Sequence, residues 1–322
     1  MKYAITALSL LLLPTAILAQ SNYPPEMAGA RVETFKSVEQ VDLKAWIFEP
    51  DGHDASQSRP AVVFYFGGGF LRGSPSQFEN QARYFASRGM VAITADYRVF
   101  NRNGTTLEFA VQDAKSAMRW VRSNASRLGV DPNRITAAGG SAGGQLAAAV
   151  ALLPEHDAPN DDSNIRSAPD ALVLFNPGLV FVPIEGRSDV KPLGGNPNII
   201  GYASRESLSP YHHIGTENPP TIIFHGKADG TVPYSHSELF TEAMLAVGNQ
   251  AELVGYDGED HGFFNFGRGD GSAYADILKR MDEFLVALGW LSEPQTAANY
   301  PKRPFSLTFA IAAHYRAYTS PI

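Results

Sequence analysis

Residues Arg134–Leu152, RITAAGGSAGGQLAAAVAL, change character at their centre. The first part, RITAA, is short and mostly apolar, as a buried strand is. The last part, QLAAAVAL, consists of strong helix formers with one Val. Between them, Gly139-Gly140-Ser141-Ala142-Gly143 fits G-x-S-x-G. A strand that turns at once into a helix strains its apex residue, and neighbours packed against that turn have no room for a Cβ. Ser141 then stands at a helix N-terminus, where the dipole favours developing negative charge. The alternative is a glycine-rich turn whose serine only caps the helix. The pentapeptide alone is common. Its place between strand and helix is what makes Ser141 a candidate nucleophile.

The same alternation of short apolar runs and amphipathic segments extends outward in both directions. Upstream, VETFKSVEQVDLKAWIFEP alternates in strand fashion and ends in the polar loop DGHDASQSRP. AVVFYF and MVAITADYR read as buried strands, with NQARYFASRG, at helical spacing, between them. LEFAVQDAKSAMRWVRSNASRLGV carries apolar residues at helical spacing and is closed by Asp131-Pro132. Downstream, ALVLFNP, PPTIIFHG and AELVGYDG read as strands, and SHSELFTEAMLAVG and ADILKRMDEFLVALGWL as helices. This pattern predicts an α/β fold with a mostly parallel sheet and helices on both faces. There is no internal repeat. The stretch from Phe181 to about Pro220, rich in Gly, Pro, Ser and Asn, is long enough to cover part of a site.

A serine hydroxyl needs a base, and the base needs an orienting group. Asp229 follows the strand TIIF, in HGKADGTVP, and His261 follows AELVGY, in DHGFF. The C-termini of parallel strands share one edge, so Ser141, Asp229 and His261 are expected to converge there as catalytic residues. Their chain order is Ser…Asp…His. His225 is a rival base, but it precedes the Asp and is better placed to prop the loop. Asp260 is a rival acid, but a sequence neighbour rarely reaches the far ring nitrogen. The bland reading of each residue is a turn stabiliser or a satisfied loop polar group.

A second glycine cluster, Phe64-Tyr65-Phe66-Gly67-Gly68-Gly69-Phe70, ends the strand AVVFYF. Glycine loses more backbone entropy on folding than any other residue. Three in a row therefore mark either a tight turn or a loop whose bare N–H groups face something.

Composition limits the classes. The chain has 322 residues, 44% hydrophobic and 18% charged, enough for one large core. A net charge of -7 argues against nucleic acid or an anionic membrane as partner. The absence of cysteine excludes disulfides, thiolate metal sites, a cysteine nucleophile and a lipid anchor on cysteine. The N-terminus, MKYAITALSLLLLPTAILAQ, has one Lys, an apolar run of about a dozen residues broken by Pro14, and Ile17-Leu18-Ala19 before Gln20. It reads as a cleaved signal peptide over 1–19. A membrane span needs roughly 20 apolar residues. The expected organisation is a signal peptide, one catalytic domain over 20–292 and a C-terminal extension over 293–322. The mature protein is expected to be periplasmic or secreted, without a membrane anchor. The remaining histidines, His212 and His213 included, show no metal-ligand spacing, and the RGD at 268–270 is a loop tripeptide.

From about residue 40 to 292 the chain resembles an α/β-hydrolase of the hormone-sensitive-lipase-like and acetyl-esterase kind. The segments that carry the resemblance are FGGGF, ADYR, DAKSAMRWVR, DPNRI, GGSAGG, HGKADGTVP and DHGFF. The resemblance implies an α/β-hydrolase fold with Ser141, Asp229 and His261 as triad. It implies Gly68, Gly69 and Ala142 as donors of an oxyanion hole, and no metal or organic cofactor. Losing one such donor typically costs about 2.7–4 kcal/mol of transition-state stabilisation. The family's loop usually begins His-Gly-Gly-Gly; here Phe66 stands in place of that His and has to hold the loop by packing.

The implied reaction is hydrolysis of short acyl esters, acetyl esters on polysaccharides being the natural candidates. The partner is a small-molecule or carbohydrate ester. Two readings compete. A prolyl-oligopeptidase-type peptidase shares this domain, but the roughly 40 residues before the first strands cannot build its propeller. A binding protein on an inactive hydrolase scaffold would have no need of an intact Ser141, Asp229 and His261.

Overall fold

The computed structural model describes residues 23–201 and 203–293. The signal peptide expected over 1–19 and the extension expected over 293–322 lie outside them, Glu293 apart.

Eight strands form one sheet in the order β1-β2-β4-β3-β5-β6-β7-β8. They are β1 (Arg31–Val38), β2 (Val41–Phe48), β3 (Arg59–Tyr65), β4 (Val91–Ala95), β5 (Val130–Gly140), β6 (Ala171–Phe175), β7 (Thr221–Gly226) and β8 (Ala251–Tyr256). The helices are α1 (Glu79–Ser87), α2 (Phe100–Asn103), α3 (Leu107–Ser123), α4 (Ala125–Leu128), α5 (Ala142–Leu152), α6 (Pro197–Ile200), α7 (Tyr234–Ala246) and α8 (Ser272–Ala287). Strands β3 to β8 are mutually parallel. β2 pairs antiparallel with both β1 and β4. The expected α/β architecture, mostly parallel and covered on both faces, is therefore present.

One segment folds differently from its reading. Residues 32–48 alternate as if they were a single strand, but they form the hairpin β1–β2. Glu39, at φ 56°, supplies the left-handed turn. Glu is not among the residues that announce such a turn, so nothing in the sequence marks it.

The period-2 pleat sorts the strands' side chains between two cores. Val63 and Tyr65 of β3 face a cluster with Val111 and Met118 of α3, Leu146 and Val150 of α5, and Phe240 and Met244 of α7. Val62 and Phe64 face the opposite cluster, with Phe85 of α1 and Ile277, Met281 and Leu285 of α8. A buried ion cluster ties the ADYR and DAKSAMRWVR segments together. Arg98 donates to both carboxylate oxygens of Asp113 (2.7 and 2.9 Å), and Lys36 of β1 adds a third bond at 2.8 Å. The Asp113 side chain is wholly buried. Such a carboxylate is tolerated because each of its oxygens has a cationic partner.

The register brings the functional segments to one edge. Tyr65 pairs with Gly139, Gly140 with Phe175, and Gly226 with Tyr256. The residues that follow β3, β5, β6, β7 and β8 therefore emerge side by side: the 66–73 loop, Ser141, Asn176, Asp229 and His261. Such an edge is where open parallel sheets hold their ligands.

Candidate active site

Ser141 lies between β5 and α5 with φ 55° and ψ −117°. This is a strained conformation for a residue with a Cβ, held by what surrounds it. Ser141 N–H donates to Phe175 O at 2.8 Å. Behind it, a Cβ built on Gly143 would meet the carbonyl oxygens of Tyr65 and Phe66 at 2.0 and 2.4 Å. Those atoms are backbone and cannot move aside, so this position admits only glycine.

His261 joins the other two residues. Its Nε2 is 2.9 Å from Ser141 Oγ and its Nδ1 is 2.7 Å from Asp229 Oδ2. A carboxylate can only accept, so Nδ1 carries the proton and Nε2 is left to accept from the Ser141 hydroxyl. The three residues expected from the sequence thus meet in the geometry a nucleophile, base and orienter require. The His261 side chain is 22% exposed and that of Asp229 wholly buried.

Asp229 is saturated with donors. Oδ1 accepts from Thr231 N–H (2.8 Å) and Val232 N–H (2.9 Å). Oδ2 accepts from Asn176 Nδ2 at 2.6 Å as well as from His261. His225 Nε2 lies 3.2 Å from the same oxygen and 3.0 Å from Val232 O. Burial alone would raise the pKa of this carboxyl. The hydrogen bonds from His225 and His261, then those from the Val232 and Thr231 backbone, outweigh it. The group is held far below the usual carboxylate range and stays ionised. His225 is a prop, as its place in the sequence suggested: it is fully buried, with Nδ1 accepting from Ser237 Oγ at 2.7 Å. Asp260 is exposed, and its backbone carbonyl, 3.4 Å from Asn176 Nδ2, faces the site.

Asn176 was not singled out in the sequence. It is fully buried, adopts φ 42°, and its Oδ1 has no partner among the described residues. Strain and an unmet acceptor in one side chain, beside the triad carboxylate, mark a positioning role. The available signal was its location directly after a buried strand on the active edge.

The glycine loop divides its work. Gly67 N–H is committed to Gln77 Oε1 at 2.6 Å. Gly68 and Gly69 N–H have no hydrogen-bond partner among the described residues. Ala142 is the first residue of α5, so its N–H has no intrahelical acceptor. Gly68, Gly69 and Ala142 are thus free to donate, and Gly67 anchors. Gln77 continues the anchor: its Nε2 donates to Asn265 Oδ1 at 2.8 Å, and Asn265 Nδ2 donates to Gly262 O at 2.8 Å. This chain links the glycine loop to the residue after His261. Its members are 188 positions apart in sequence, and no local pattern announces them.

Phe66 is fully buried and stacks on Tyr97, with ring centroids 4.0 Å apart and planes 14° from parallel. Tyr97 Oη donates to Phe66 O at 2.7 Å. A Cβ on Gly73, at the far end of the loop, would lie 2.4 Å from the Phe66 ring. Packing therefore fills the place the sequence assigned to packing.

Beside Ser141 opens an apolar cavity of about 160 Å³, lined among others by Gly69, Phe70, Leu107, Phe181, Leu193 and Ile199. Phe181, Leu193 and Ile199 belong to the 181–220 stretch, which covers part of the site as its length suggested. Among the described residues there is no cluster of His, Asp and Glu able to hold a metal. His212 and His213 bond locally, to Ser209 Oγ and to Glu206 O. Asp270 of the RGD tripeptide accepts from Ser272 N–H at the start of α8.

Two predictions follow from this geometry. Ser141→Ala and His261→Ala should each reduce ester hydrolysis by at least about 10³-fold while leaving the thermal midpoint nearly unchanged, and the double variant should be little worse than either single. Substantial turnover by Ser141→Ala, measured under steady-state conditions, would remove Ser141 as nucleophile. Phe66→Ala should cost roughly 3–5 kcal/mol of stability, as large-to-small changes in a packed core do. It should also lower kcat, because Gly68 and Gly69 lose their support. Phe66→His should lose about 1–3 kcal/mol, since the imidazole would be buried against Tyr97 without a free partner. Denaturant midpoints beside kcat test both, and a Phe66→Ala protein with wild-type values would make Phe66 a bystander.

The sequence profile described as BD-FAE matches residues 47–244, and that described as the dienelactone hydrolase family matches residues 201–288. An isoprenylcysteine alpha-carbonyl methylesterase of Arabidopsis thaliana is 27% identical over 280 residues, covering 80% of this chain and 62% of the relative. The esterase LipC of Mycobacterium tuberculosis is 28% identical over 226 residues, covering 63% of this chain and 53% of the relative. The chain thus spans about half to three-fifths of the length of these curated relatives. Among solved structures, the apo form of Thermogutta terrifontis esterase 2 is 49% identical, with a TM-score of 0.79, covering 85% of this chain and all of that one. The same esterase phosphoramylated by tabun gives a TM-score of 0.80 at the same identity and coverage. A match across more than half the chain, and near-half identity along the whole of a solved esterase, mean that the chain belongs to the BD-FAE family of α/β-hydrolase esterases.

Proposed function

We propose that the protein is a secreted serine carboxylesterase that removes short acyl groups, acetyl groups on polysaccharides among them, through an acyl-enzyme. The observation that carries this reading is the single imidazole bridging Ser141 Oγ and Asp229 Oδ2. His261 takes the hydroxyl proton as Ser141 attacks the ester carbonyl. The tetrahedral oxyanion is stabilised by N–H groups of Gly68, Gly69 and Ala142, which need no reorganisation. Asp229, ionised throughout, stabilises the imidazolium, and His261 then gives its proton to the departing alcohol. Water repeats the sequence on the acyl-enzyme and releases the acid.

The short-chain reading is supported by the small size of the apolar cavity, which Leu193 and Ile199 help to line. It is also supported by the 48%-identical Thermogutta esterase, whose structures include propionate-bound and butyrate-bound forms. Secretion rests on the N-terminal apolar run and Ile17-Leu18-Ala19. Intact mass of the exported protein is its check: a chain that begins near Gln20 supports it, and an uncleaved chain refutes it.

A panel of p-nitrophenyl esters from acetyl to octanoyl, beside acetylated xylan and pectin, tests the substrate reading. kcat/KM should be highest for the shortest chains and fall by about tenfold or more by octanoyl, since each methylene that does not fit costs on the order of 1 kcal/mol or more. Octanoyl turnover equal to acetyl would end the short-chain reading. With acetyl ester, Asp229, held ionised below the usual carboxylate range, should add no step to the pH profile between about pH 5 and pH 8. A carboxylate 13C resonance of Asp229 that titrates in that window would contradict it.

A further inference from the structure

An ester has two halves, and the apolar cavity beside Ser141 suits only the acyl one. The other half must leave from the side of the carbonyl that faces His261 Nε2, because that nitrogen protonates it. Along the glycine loop lies a second, more open cleft of about 340 Å³. Gly67, Gly68, Arg72, Ser74, Ser76 and Gln77 line it. The acyl cavity meets the loop at Gly69 instead.

Three observations connect this cleft to the reacting centre. A Cβ built on Gly67 would lie 3.3 Å from Ser141 Cβ, so the backbone that lines the cleft packs directly against the nucleophile's residue. Gln77, part of its lining, is bonded through Asn265 to Gly262, the neighbour of His261. The tight turn that forms its rim is built around Gly68 at φ 126° and Gly73 at φ 129°. A Cβ on Gly68 would lie 2.0 Å from Arg72 O, so the Arg72 backbone is held against the glycine loop.

The chemistry of the lining differs from that of the acyl cavity. Ser74 Oγ and Ser76 Oγ, 3.0 Å apart, present hydroxyls. Arg72 is exposed, and its guanidinium has no ion pair, hydrogen bond or ring contact among the described residues. Two other arginines are instead spent on carboxylates, Arg98 on Asp113 and Arg102 on Asp96. A free planar fork of donors beside paired hydroxyls matches a carboxylate on a hydroxyl-rich molecule.

We infer that this cleft is the alcohol-side subsite and that it takes a polyhydroxylated alcohol bearing a carboxylate, the chemistry of a uronic-acid residue, with Arg72 as its anion contact. This rests on the ester-hydrolase reading and narrows it: the preferred acetyl ester sits on an acidic rather than a neutral sugar. Gln77 and Gly67 are occupied by the loop anchor, so recognition falls to Arg72, Ser74 and Ser76.

The test compares an O-acetylated uronic acid with the matching neutral O-acetylated sugar, using wild type, Arg72→Gln and Arg72→Lys. Wild type should prefer the acid, chiefly through a lower KM. Arg72→Gln should lose about fivefold of that preference, the scale of an exposed ion pair, and Arg72→Lys should keep part of it. The wild-type preference should also shrink as salt rises from about 0.05 to 0.5 M, because exposed charges are screened. No preference for the acid in wild type, or a preference that survives in Arg72→Gln, overturns the proposal. If wild type hydrolyses neither sugar, the acetylated-sugar reading has failed. The subsite is then decided by ligand-observed NMR with the free uronic acid: binding to wild type and to Ser141→Ala but not to Arg72→Gln upholds it, and equal signals from all three overturn it.

Discussion

The contact between Gly143 and the carbonyls of Tyr65 and Phe66 holds the site together. It lets α5 press directly on the end of β3, and so brings the loop that follows β3 within reach of Ser141. A methyl group there would separate the glycine loop from the nucleophile, and overpacking of this kind typically costs about 1–3 kcal/mol before any catalytic effect. The strain at Ser141 persists because both sides are pinned, by Phe175 O in front and the β3 carbonyls behind. Positioning of Ser141 and of the Gly68 and Gly69 N–H groups is therefore one packing event.

The polar side of the site is organised differently. Asp229 receives donors on both oxygens from its own loop, from β6 through Asn176 and from the loop after β8 through His261. Such a carboxylate cannot rotate or take up a proton in the working range, so the imidazole has one tautomer and one orientation. The cost is visible next door, where Asn176 combines a left-handed backbone with an unmet acceptor. The Gln77–Asn265 link then ties this half of the site to the glycine loop. Loops from four strands are thereby linked by hydrogen bonds.

Much of this was readable from residue types. The strand–glycine–serine–glycine–helix junction, the alternation of apolar and amphipathic segments, and the order Ser141, Asp229, His261 pointed to the fold and the triad. They could do so because each is a local pattern, and because parallel strands must end on one edge. The hairpin over 31–48 was missed because its turn uses Glu39 rather than Gly or Asn, and alternation is the same on both sides of it. The glycine triplet was read as a set, yet Gly67 differs from its neighbours through Gln77, ten residues away.

The sequence by itself determined which residues are the candidates for chemistry and on what scaffold they stand, since backbone periodicity, glycine sterics and side-chain chemistry act over a few residues. Only the tertiary structure decided which groups hold them. Asn176 on Asp229, the Phe66–Tyr97 stack, the Gln77–Asn265 tie and the lining of the apolar cavity beside Ser141 all join segments far apart in the chain. Hydrogen bonds and ring contacts of that kind depend on distances that exist only after the sheet has set its register, and no short stretch of residues encodes them.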